Sequence, residues 1–281
     1  MKKVGLVGAG QMGSGIAQVC IQAGYDIVIQ DVADKFVEKG LNGIKSNFKR
    51  AVDKGKMTAE ASAAALSHLR GTTSLDDLKD RDLVIEAVIE NMAEKKKVFA
   101  ALDKVCAPQT ILASNTSALA ITEMAAATQR PQKVLGLHFF NPVPVLQLVE
   151  IVRALSTSDE TIAVSKKFVE SLGKTPAMCK DLPGFIANRA LFPYLMEGIK
   201  MLESGVATAE DIDNGCKLGY NLPMGPLAVC DLIGLDTVLF IANSMFSEFR
   251  DPKFAPPPLL ARMVTAGQLG RKTGKGFFTY S

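Results

Sequence analysis

A histidine and a glutamate on either side of a proline-rich turn are the residues of this sequence best placed to transfer a proton. His138 ends one apolar stretch and Glu150 lies within the next. Pro142 and Pro144 stand between them and favour a turn, so we expect the two stretches to form antiparallel strands. A hairpin centred near Pro144 would bring His138 beside Glu150. The imidazole would then serve as general acid and base, while the carboxylate orients the ring and stabilises its protonated form.

The alternative for any single histidine is a structural role in an apolar setting. We prefer that interpretation for His68, the second of the two histidines, because it lies in an alanine-rich helical stretch without a predicted partner. A run of small polar residues, 114–117, follows the strand predicted at 110–113 and precedes a helix predicted to begin near Ala118. Two interpretations stay open for this run: a plain helix N-cap, or hydroxyl donors that point into a cleft.

A glycine pattern near the amino terminus predicts a nucleotide-binding turn. Gly8-x-Gly10-x-x-Gly13 follows the apolar run 4–7 and opens a helical pattern that continues to residue 23. Gly8 suits the tight turn, Gly10 lets a pyrophosphate approach the main chain, and Gly13 lets the helix pack on the strand. The N–H groups at the helix start then favour phosphate. The competing interpretation is a glycine-rich turn in an ordinary α/β protein.

Asp31 completes this pattern and indicates which dinucleotide binds. It ends the strand predicted at 27–30, about 20 residues beyond the glycines, where a carboxylate binds the ribose hydroxyls of NAD. The same carboxylate would repel the 2′-phosphate of NADP, and residues 32–33 supply no arginine for that phosphate. NAD is therefore favoured. Lys35 is close enough in sequence to keep NADP as an alternative.

Composition excludes several other classes of function. The chain has 281 residues, of which 48% are hydrophobic and 22% charged, and its net charge is only +3, so general nucleic-acid binding is not indicated. Its apolar runs are too short to span a membrane, and we expect no removable signal peptide. Its five cysteines are scattered without a C-x-x-C pair, which supports neither a metal site nor a disulfide framework. We expect a cytoplasmic protein, with Cys20 in the core rather than at a reactive site.

The crossover after Asp31 is long, basic and predicted to be helical over 33–54 and 58–69. Its basic residues include Arg50 and Lys54. They form either a solvated helix face or a binding patch for a phosphate-bearing substrate carrier. A later strand, predicted at 83–85, runs directly into Glu90, and the next helix carries Lys95. Because ligands of open α/β sheets bind beyond the carboxyl ends of strands, both are predicted cofactor contacts.

The succession of elements predicts two domains. Strands alternate with helices as far as the strand predicted at 176–179, which indicates a Rossmann-type α/β domain with a largely parallel sheet. Beyond Pro183 the pattern is helical only. We therefore predict a dinucleotide-binding domain over residues 1–183 and an all-α domain over 184–281. The helices of the second are predicted at 185–203, 209–218, 228–249 and 259–266. Apolar residues at helical spacing on the first of these could form core or a subunit contact: Leu191, Leu195, Ile199 and Leu202.

Seven segments together resemble the L-3-hydroxyacyl-CoA dehydrogenase family along essentially the whole chain, in its stand-alone short-chain form. The two most specific are His138-Phe139-Phe140-Asn141-Pro142-Val143-Pro144 and Asp181-Leu182-Pro183-Gly184-Phe185-Ile186-Ala187-Asn188-Arg189. The others are the glycine turn 8–13 and the segments 114–117, 148–150, 224–226 and 270–277. The resemblance implies interconversion of (S)-3-hydroxybutyryl-CoA and acetoacetyl-CoA, in fatty-acid and butanoate metabolism, by a homodimer that contacts its partner through the helical domain.

The resemblance also assigns roles residue by residue. It makes His138 the general acid and base, Glu150 its orienting partner, and Ser117 and Asn188 the hydrogen-bond partners of the substrate oxygens. Arg50 and Lys54 fall where the family contacts the phosphate-bearing end of CoA. The implied cofactor contacts are Gly8, Gly10, Gln11, Met12, Gly13, Asp31, Glu90, Lys95, Asn115, Ser117, Asn141 and Lys272, and no metal is implied.

Two other functions remain as alternatives. One is a two-domain dehydrogenase for a small 3-hydroxy acid without CoA, which would not need His138 opposite Glu150 or the basic patch. The other is a non-catalytic protein that senses NAD. A sensor would have no use for the full set of Ser117, His138, Glu150 and Asn188.

Overall fold

The structure, a computed structural model, describes residues 1–280, and its contacts divide the chain into two compact units. The first unit comprises Met1–Asp181 and the second begins at Leu182. This division falls two residues before the domain boundary predicted from the sequence.

The first unit is built on an eight-stranded sheet with the order β3-β2-β1-β4-β5-β6-β7-β8. Neighbouring strands are parallel except β6 and β7, which are antiparallel. Its central strands are continuous apolar runs, as expected for a parallel sheet covered on both faces. The strands are β1 (Lys3–Val7), β2 (Asp26–Gln30), β3 (Leu69–Thr72), β4 (Leu83–Glu86), β5 (Ile111–Ser114), β6 (Val134–Phe139), β7 (Leu148–Arg153) and β8 (Thr175–Lys180).

Helices connect these strands and cover the sheet, so the predicted Rossmann-type fold is confirmed. The first two helices place Ile16, Cys20, Ile44 and Phe48 in the main core, which confirms the core position predicted for Cys20. The helices of this unit are α1 (Gln11–Gln22), α2 (Asp34–Asp53), α3 (Ala59–Ser67), α4 (Met92–Val105), α5 (Ile121–Ala125) and α6 (Asp159–Ser171).

The edge strand β3 was not predicted, because the sequence suggested that a helix continued to residue 69. Only its first residue, Leu69, is a large apolar residue, and the strand is partly exposed, so it lacks the apolar pattern of a strand. What makes it a strand is parallel pairing with β2. Gly71 assists, because a Cβ at this position would lie 2.4 Å from Cγ1 of Val37 on α2.

The second unit is helical, which confirms the predicted fold class of this part of the chain. Its helices are α7 (Ala187–Glu203), α8 (Ala209–Gly219), α9 (Pro226–Ile233), α10 (Leu235–Phe249) and α11 (Pro258–Thr265). On α7, Leu195 and Ile199 are fully buried, whereas Leu191 and Leu202 are half-buried.

The single helix predicted over 228–249 is wrong, because Gly234 divides it into α9 and α10. The φ angle of Gly234 is +99°, a conformation that only glycine adopts without strain, and the two helices bend by 101° at this point. In the described part of the chain, no single helix has the length and apolar composition of a membrane span. Helices α9 and α10 reach those limits only as a bent pair.

Candidate active site

His138 and Glu150 face each other across the hairpin of β6 and β7, as the proline turn predicted. The antiparallel register pairs the two residues directly, and Nδ1 of His138 lies 2.7 Å from Oε2 of Glu150. His138 is only 3% exposed and Glu150 is fully buried. Because an ionised carboxylate can only accept, the neutral imidazole carries its proton on Nδ1 and leaves Nε2 as the acceptor. The ring is therefore oriented to take up a proton at Nε2.

Ser117 occupies the other side of the imidazole. Its Oγ lies 3.1 Å from Nε2 of His138, so Ser117, His138 and Glu150 form one continuous hydrogen-bonded series. The Phe140 ring packs against the imidazole, with 4.4 Å between the ring centroids. A hydroxyl, an imidazole nitrogen and a buried carboxylate in this order constitute a proton-transfer site.

The polar run 114–117 is not a plain helix N-cap, so this one of the two predicted interpretations is wrong. The next helix, α5, begins at Ile121 rather than near residue 118. Its first N–H groups are capped from far along the chain, since Asp181 accepts hydrogen bonds from the N–H groups of Ile121 (3.0 Å) and Thr122 (2.7 Å). Ser117 is thereby free of a capping role, and its hydroxyl contacts His138 instead.

Glu90 holds the main chain of Ser117 in place. Its Oε1 accepts hydrogen bonds from the Ser117 N–H (2.7 Å) and the Thr116 hydroxyl (3.0 Å). Behind it, Lys95 is only 1% exposed, and its Nζ lies 2.6 Å from Glu86 Oε1 and 3.2 Å from Glu90 Oε2. The second of these contacts is an ion pair without hydrogen-bond geometry. Of the two predicted cofactor contacts, Glu90 is half-buried and Lys95 lies inside the protein.

The three glycines of the turn have different surroundings: two are closely packed and one faces open space. A Cβ on Gly8 would lie 2.6 Å from the Ala87 carbonyl oxygen, and a Cβ on Gly13 would lie 1.8 Å from that of Gly8. Among the residues that the structure describes, a Cβ on Gly10 would meet no atom within 4 Å. Gly10 is also the N-cap of α1, and no side chain of residues 1–280 caps this helix. Open space before an uncapped helix start fits the pyrophosphate of a dinucleotide.

Asp31 follows β2 and fits the ribose of the same ligand. Its Oδ2 accepts a hydrogen bond from the Ala9 N–H (2.8 Å) and its Oδ1 accepts one from the Val32 N–H (2.7 Å). Each carboxylate oxygen can accept a further bond, so both remain available to ribose hydroxyls. The main-chain bonds fix the carboxylate at the edge of the glycine turn.

The two asparagines predicted to contact the cofactor differ in burial. Asn115 is buried, and its Oδ1 accepts a hydrogen bond of 2.9 Å from the Phe139 N–H next to the catalytic candidate His138. Asn141 is exposed, and its Oδ1 accepts a hydrogen bond of 3.1 Å from Nε2 of Gln11, the first residue of α1.

A cleft of about 460 Å³ in the first unit connects the glycine turn with the 141–144 turn. Its wall on α2 includes Lys39, Gly43 and Asn47, which lie four residues apart on one helix face. Asn47 also donates a hydrogen bond of 3.0 Å to Gln18 Oε1 on α1. The predicted residues Arg50 and Lys54 are exposed and lie outside the cleft lining. Arg50 lies in the last turn of α2 and Lys54 is its C-cap, and both continue the helical spacing of Lys39, Gly43 and Asn47. The same spacing in the sequence could have identified Asn47.

Comparison with known proteins agrees with this geometry. Residues 3–182 match the family description "3-hydroxyacyl-CoA dehydrogenase, NAD binding domain", and residues 184–280 match "3-hydroxyacyl-CoA dehydrogenase, C-terminal domain". This chain belongs to the 3-hydroxyacyl-CoA dehydrogenase family.

Full-length members of the family include close relatives of this chain. A 3-hydroxybutyryl-CoA dehydrogenase of Mycobacterium tuberculosis is 51% identical over 282 residues, covering 100% of this chain and 99% of the relative. One from Bradyrhizobium diazoefficiens is 48% identical, covering 100% and 96%. The crystal structure of (S)-3-hydroxybutyryl-CoA dehydrogenase from Ralstonia eutropha has a TM-score of 0.96 at 47% identity, covering 100% of this chain and 99% of that one.

The remaining predicted site residues of this family member lie in the second unit. Asn188 is half-buried in the first turn of α7. Lys272 is about half-exposed, and its Nζ lies 2.5 and 2.6 Å from the two carboxylate oxygens of Asp236. Asp231, which sequence analysis did not single out, accepts hydrogen bonds from the N–H groups of Phe277 (3.0 Å) and Phe278 (2.9 Å). It thereby fixes the segment that follows Lys272.

The pKa is raised in the thiols of Cys20, Cys106 and Cys179. Burial raises the pKa of the Cys20 thiol, and it raises the pKa of Cys106 to about 11. Burial and the nearby Glu150 and Asp181 raise the pKa of Cys179 to about 12. Thiols held in their neutral form are poor nucleophiles.

Proposed function

We propose that this chain interconverts (S)-3-hydroxybutyryl-CoA and acetoacetyl-CoA, with NAD as the favoured cofactor. The observation that carries the proposal is the series Ser117–His138–Glu150, in which Nε2 of a buried imidazole faces a hydroxyl and Nδ1 faces a carboxylate. Relatives that bear the name 3-hydroxybutyryl-CoA dehydrogenase over their full length support this choice of substrate.

In the oxidative direction, we assign the proton of the C3 hydroxyl to Nε2 of His138. The bound nicotinamide supplies the acceptor for the hydride that leaves C3. Glu150 stabilises the imidazolium that forms, because the proton already on Nδ1 remains hydrogen-bonded to its carboxylate. Ser117 and Asn188 are proposed to donate hydrogen bonds to the oxygen on C3. In the reductive direction, His138 returns its proton to that oxygen as the hydride arrives at C3.

The proposed cofactor contacts begin at the glycine turn and extend to the carboxyl ends of β2 and β4. Asp31 favours NAD over NADP, since its carboxylate accepts from two ribose hydroxyls and repels a 2′-phosphate. NADP is the alternative cofactor. Its phosphate would need a cation, and the nearest candidate in sequence, Lys35, has its ammonium over the Phe36 ring at 5.0 Å from the centroid. Lys272, held by Asp236, is a proposed contact from the second unit.

We assign the phosphate-bearing end of CoA to the exposed face of α2. Lys39, Arg50 and Lys54 provide cations along that face, and Asn47 provides an amide. Anionic phosphates bind such a row through charge-assisted hydrogen bonds. The cleft beside this face extends from the glycine turn to the 141–144 turn, which follows β6 and its His138.

We also propose that the chain acts in the cytoplasm as a homodimer formed through its second unit. Five free thiols suit a reducing compartment. The second unit exposes large apolar side chains, among them Leu218 at 75% and Leu232 at 54%. A molar mass of twice the chain mass by light scattering would support the dimer, and a monomer at micromolar concentration would contradict it.

The test of this function follows the loss of NADH or NADPH absorbance after addition of acetoacetyl-CoA. We expect rapid loss with NADH and little with NADPH. Loss mainly with NADPH would retain the reaction and refute the role given to Asp31. Folded protein that binds NADH without turning over acetoacetyl-CoA would instead be tested with a free 3-oxo acid. Turnover there would indicate the free-acid dehydrogenase, and its absence the NAD sensor.

A further inference from the structure

Glu86 is a fully buried carboxylate that takes no part in the proposed mechanism. It ends β4, and in the parallel register with β5 it pairs with Ser114. Three donors converge on it. Its Oε1 accepts hydrogen bonds from the Val88 N–H (2.7 Å) and Lys95 Nζ (2.6 Å), and its Oε2 accepts one from the Ser114 hydroxyl (2.6 Å). Both of its oxygens are therefore engaged by donors from other parts of the chain.

This carboxylate lies at the start of two loops beside the proton-transfer site. The loop after β4 carries Glu90, and the loop after β5 carries Ser117. Glu86 joins the first loop through the Val88 N–H and the second through Ser114. The main chain reinforces this link, since the Asn115 N–H donates to the Glu86 carbonyl at 2.8 Å.

Lys95 connects Glu86 with Glu90. Its ammonium lies between two carboxylates, Glu86 at 2.6 Å and Glu90 at 3.2 Å, and it also donates to the Val88 carbonyl at 3.4 Å. It therefore contacts three protein oxygens, of Glu86 and Val88 through hydrogen bonds and of Glu90 through an ion pair alone. Glu90 then accepts from the Ser117 N–H, and the Ser117 hydroxyl contacts Nε2 of His138. The connection from Glu86 to the imidazole is continuous.

A buried ion pair of this kind adds little net stability over well-packed apolar residues, because burying the charges cancels most of their attraction. What the pair does supply is geometry. We propose that Glu86 is a positioning residue: through Lys95 and Ser114 it fixes Glu90 and the Ser117 loop so that the Ser117 hydroxyl meets Nε2 of His138. This inference rests on the proposed function, and it adds a residue that touches neither substrate nor cofactor.

The kinetic test compares Glu86→Gln, Glu90→Gln and the double variant with the parent, using acetoacetyl-CoA and NADH. Glu86→Gln keeps the shape of the side chain and removes its charge. We expect kcat to fall about tenfold or more, because small displacements of catalytic groups are costly, while KM for acetoacetyl-CoA changes less than about twofold. The double variant should lose less kcat than the product of the two single losses, since both changes interrupt the path through Lys95.

A matched control separates positioning from general loss of stability. Asp103→Asn removes a carboxylate at the far end of the same helix, α4, where Asp103 pairs with the nearly buried Arg130 at 2.6 Å. We expect it to lower the thermal midpoint and leave kcat unchanged. Should Glu86→Gln fail to fold, Ser114→Ala removes one of the three donors without unpairing a charge, and it should lower kcat severalfold. A kcat within twofold of the parent for the variant that folds would overturn the proposal, as would losses in kcat that multiply in the double variant.

A substrate-free readout distinguishes failure of this inference from failure of the proposed function. The chain has only two histidines, so a ¹⁵N-histidine NMR spectrum contains signals from His68 and His138 alone. His138→Ala identifies them. Glu86→Gln should shift the ring signals of His138 and leave those of His68 in place. If the parent turns over no acetoacetyl-CoA, the proposed function fails, and unchanged His138 signals would then refute the positioning role independently.

Discussion

Replacing Glu150 with glutamine tests the acid–base site most directly. The side chain keeps its shape but loses the charge that faces Nδ1 of His138 at 2.7 Å. Two effects then act in the same direction. The imidazolium formed during oxidation loses its counter-charge, and the glutamine amide can donate to Nδ1 and so favour the tautomer with its proton on Nε2.

The size of the loss follows from the electrostatics of this buried pair. With charge centres about 4 Å apart and an effective dielectric constant of about 20, the carboxylate stabilises the imidazolium by about 4 kcal/mol. Each 1.4 kcal/mol corresponds to about one factor of ten in rate, so kcat should fall by about three orders of magnitude. His138→Ala, which removes the proton acceptor itself, should nearly abolish turnover.

The assay is oxidation of (S)-3-hydroxybutyryl-CoA by NAD, with kcat measured for the parent and for Glu150→Gln. NADH binding, followed by its fluorescence, and the thermal midpoint serve as controls, and both should stay near the parent values. A kcat within tenfold of the parent in folded protein would refute the role of Glu150 as the counter-charge of His138. Loss of folding in this variant would instead assign Glu150 a structural role in the sheet.

Three further predictions follow from the site and its surroundings. Gly13→Ala should destabilise the chain by about 1–3 kcal/mol in chemical denaturation, because its Cβ meets a carbonyl oxygen. Gly10→Ala should leave the free energy of unfolding unchanged and weaken NADH binding. Equal effects of the two changes on stability and binding would contradict the separate roles given to the two glycines. Ser117→Ala should lower kcat about 10²-fold with NADH affinity little changed, as for removal of one oxyanion donor, and an unaltered kcat would remove Ser117 from the mechanism. Hydrogen bonds from Lys3 and Arg81 outweigh burial and hold the pKa of Asp80 at about 2, below its ordinary value of 3.8. Its contribution to stability is therefore complete above pH 4 and is lost as the pH falls toward 2. Because Asp80 is largely exposed, Asp80→Asn should cost less than about 1 kcal/mol at pH 7, and a difference from the parent that stays constant down to pH 3 would show that the ion pair is not its origin.

The parts of the site that could be predicted from the sequence depend on neighbours along the chain. The turn from Gly8 to Gly13 and the register that pairs His138 with Glu150 are both confirmed. Each lies within a short segment whose glycines or prolines restrict the backbone directly. A contact across a turn of a dozen residues needs no knowledge of how the rest of the sheet is ordered. The resemblance to known dehydrogenases named Ser117, but its distance from His138 came from the structure.

The parts decided only by tertiary structure involve residues far apart in sequence. Strand β3 forms because β2 offers an open edge, and α5 begins at Ile121 because Asp181 caps it from 60 residues away. Glu86 belongs to no motif singled out in the sequence, and nothing in the sequence shows that Lys95 and Ser114 contact it. They become a connected site only when β4 and β5 lie side by side. Sequence determined the chemical groups and their local turns, whereas the order of the strands decided which groups meet, because hydrogen bonds and ion pairs act over a few ångströms of space and not along the chain.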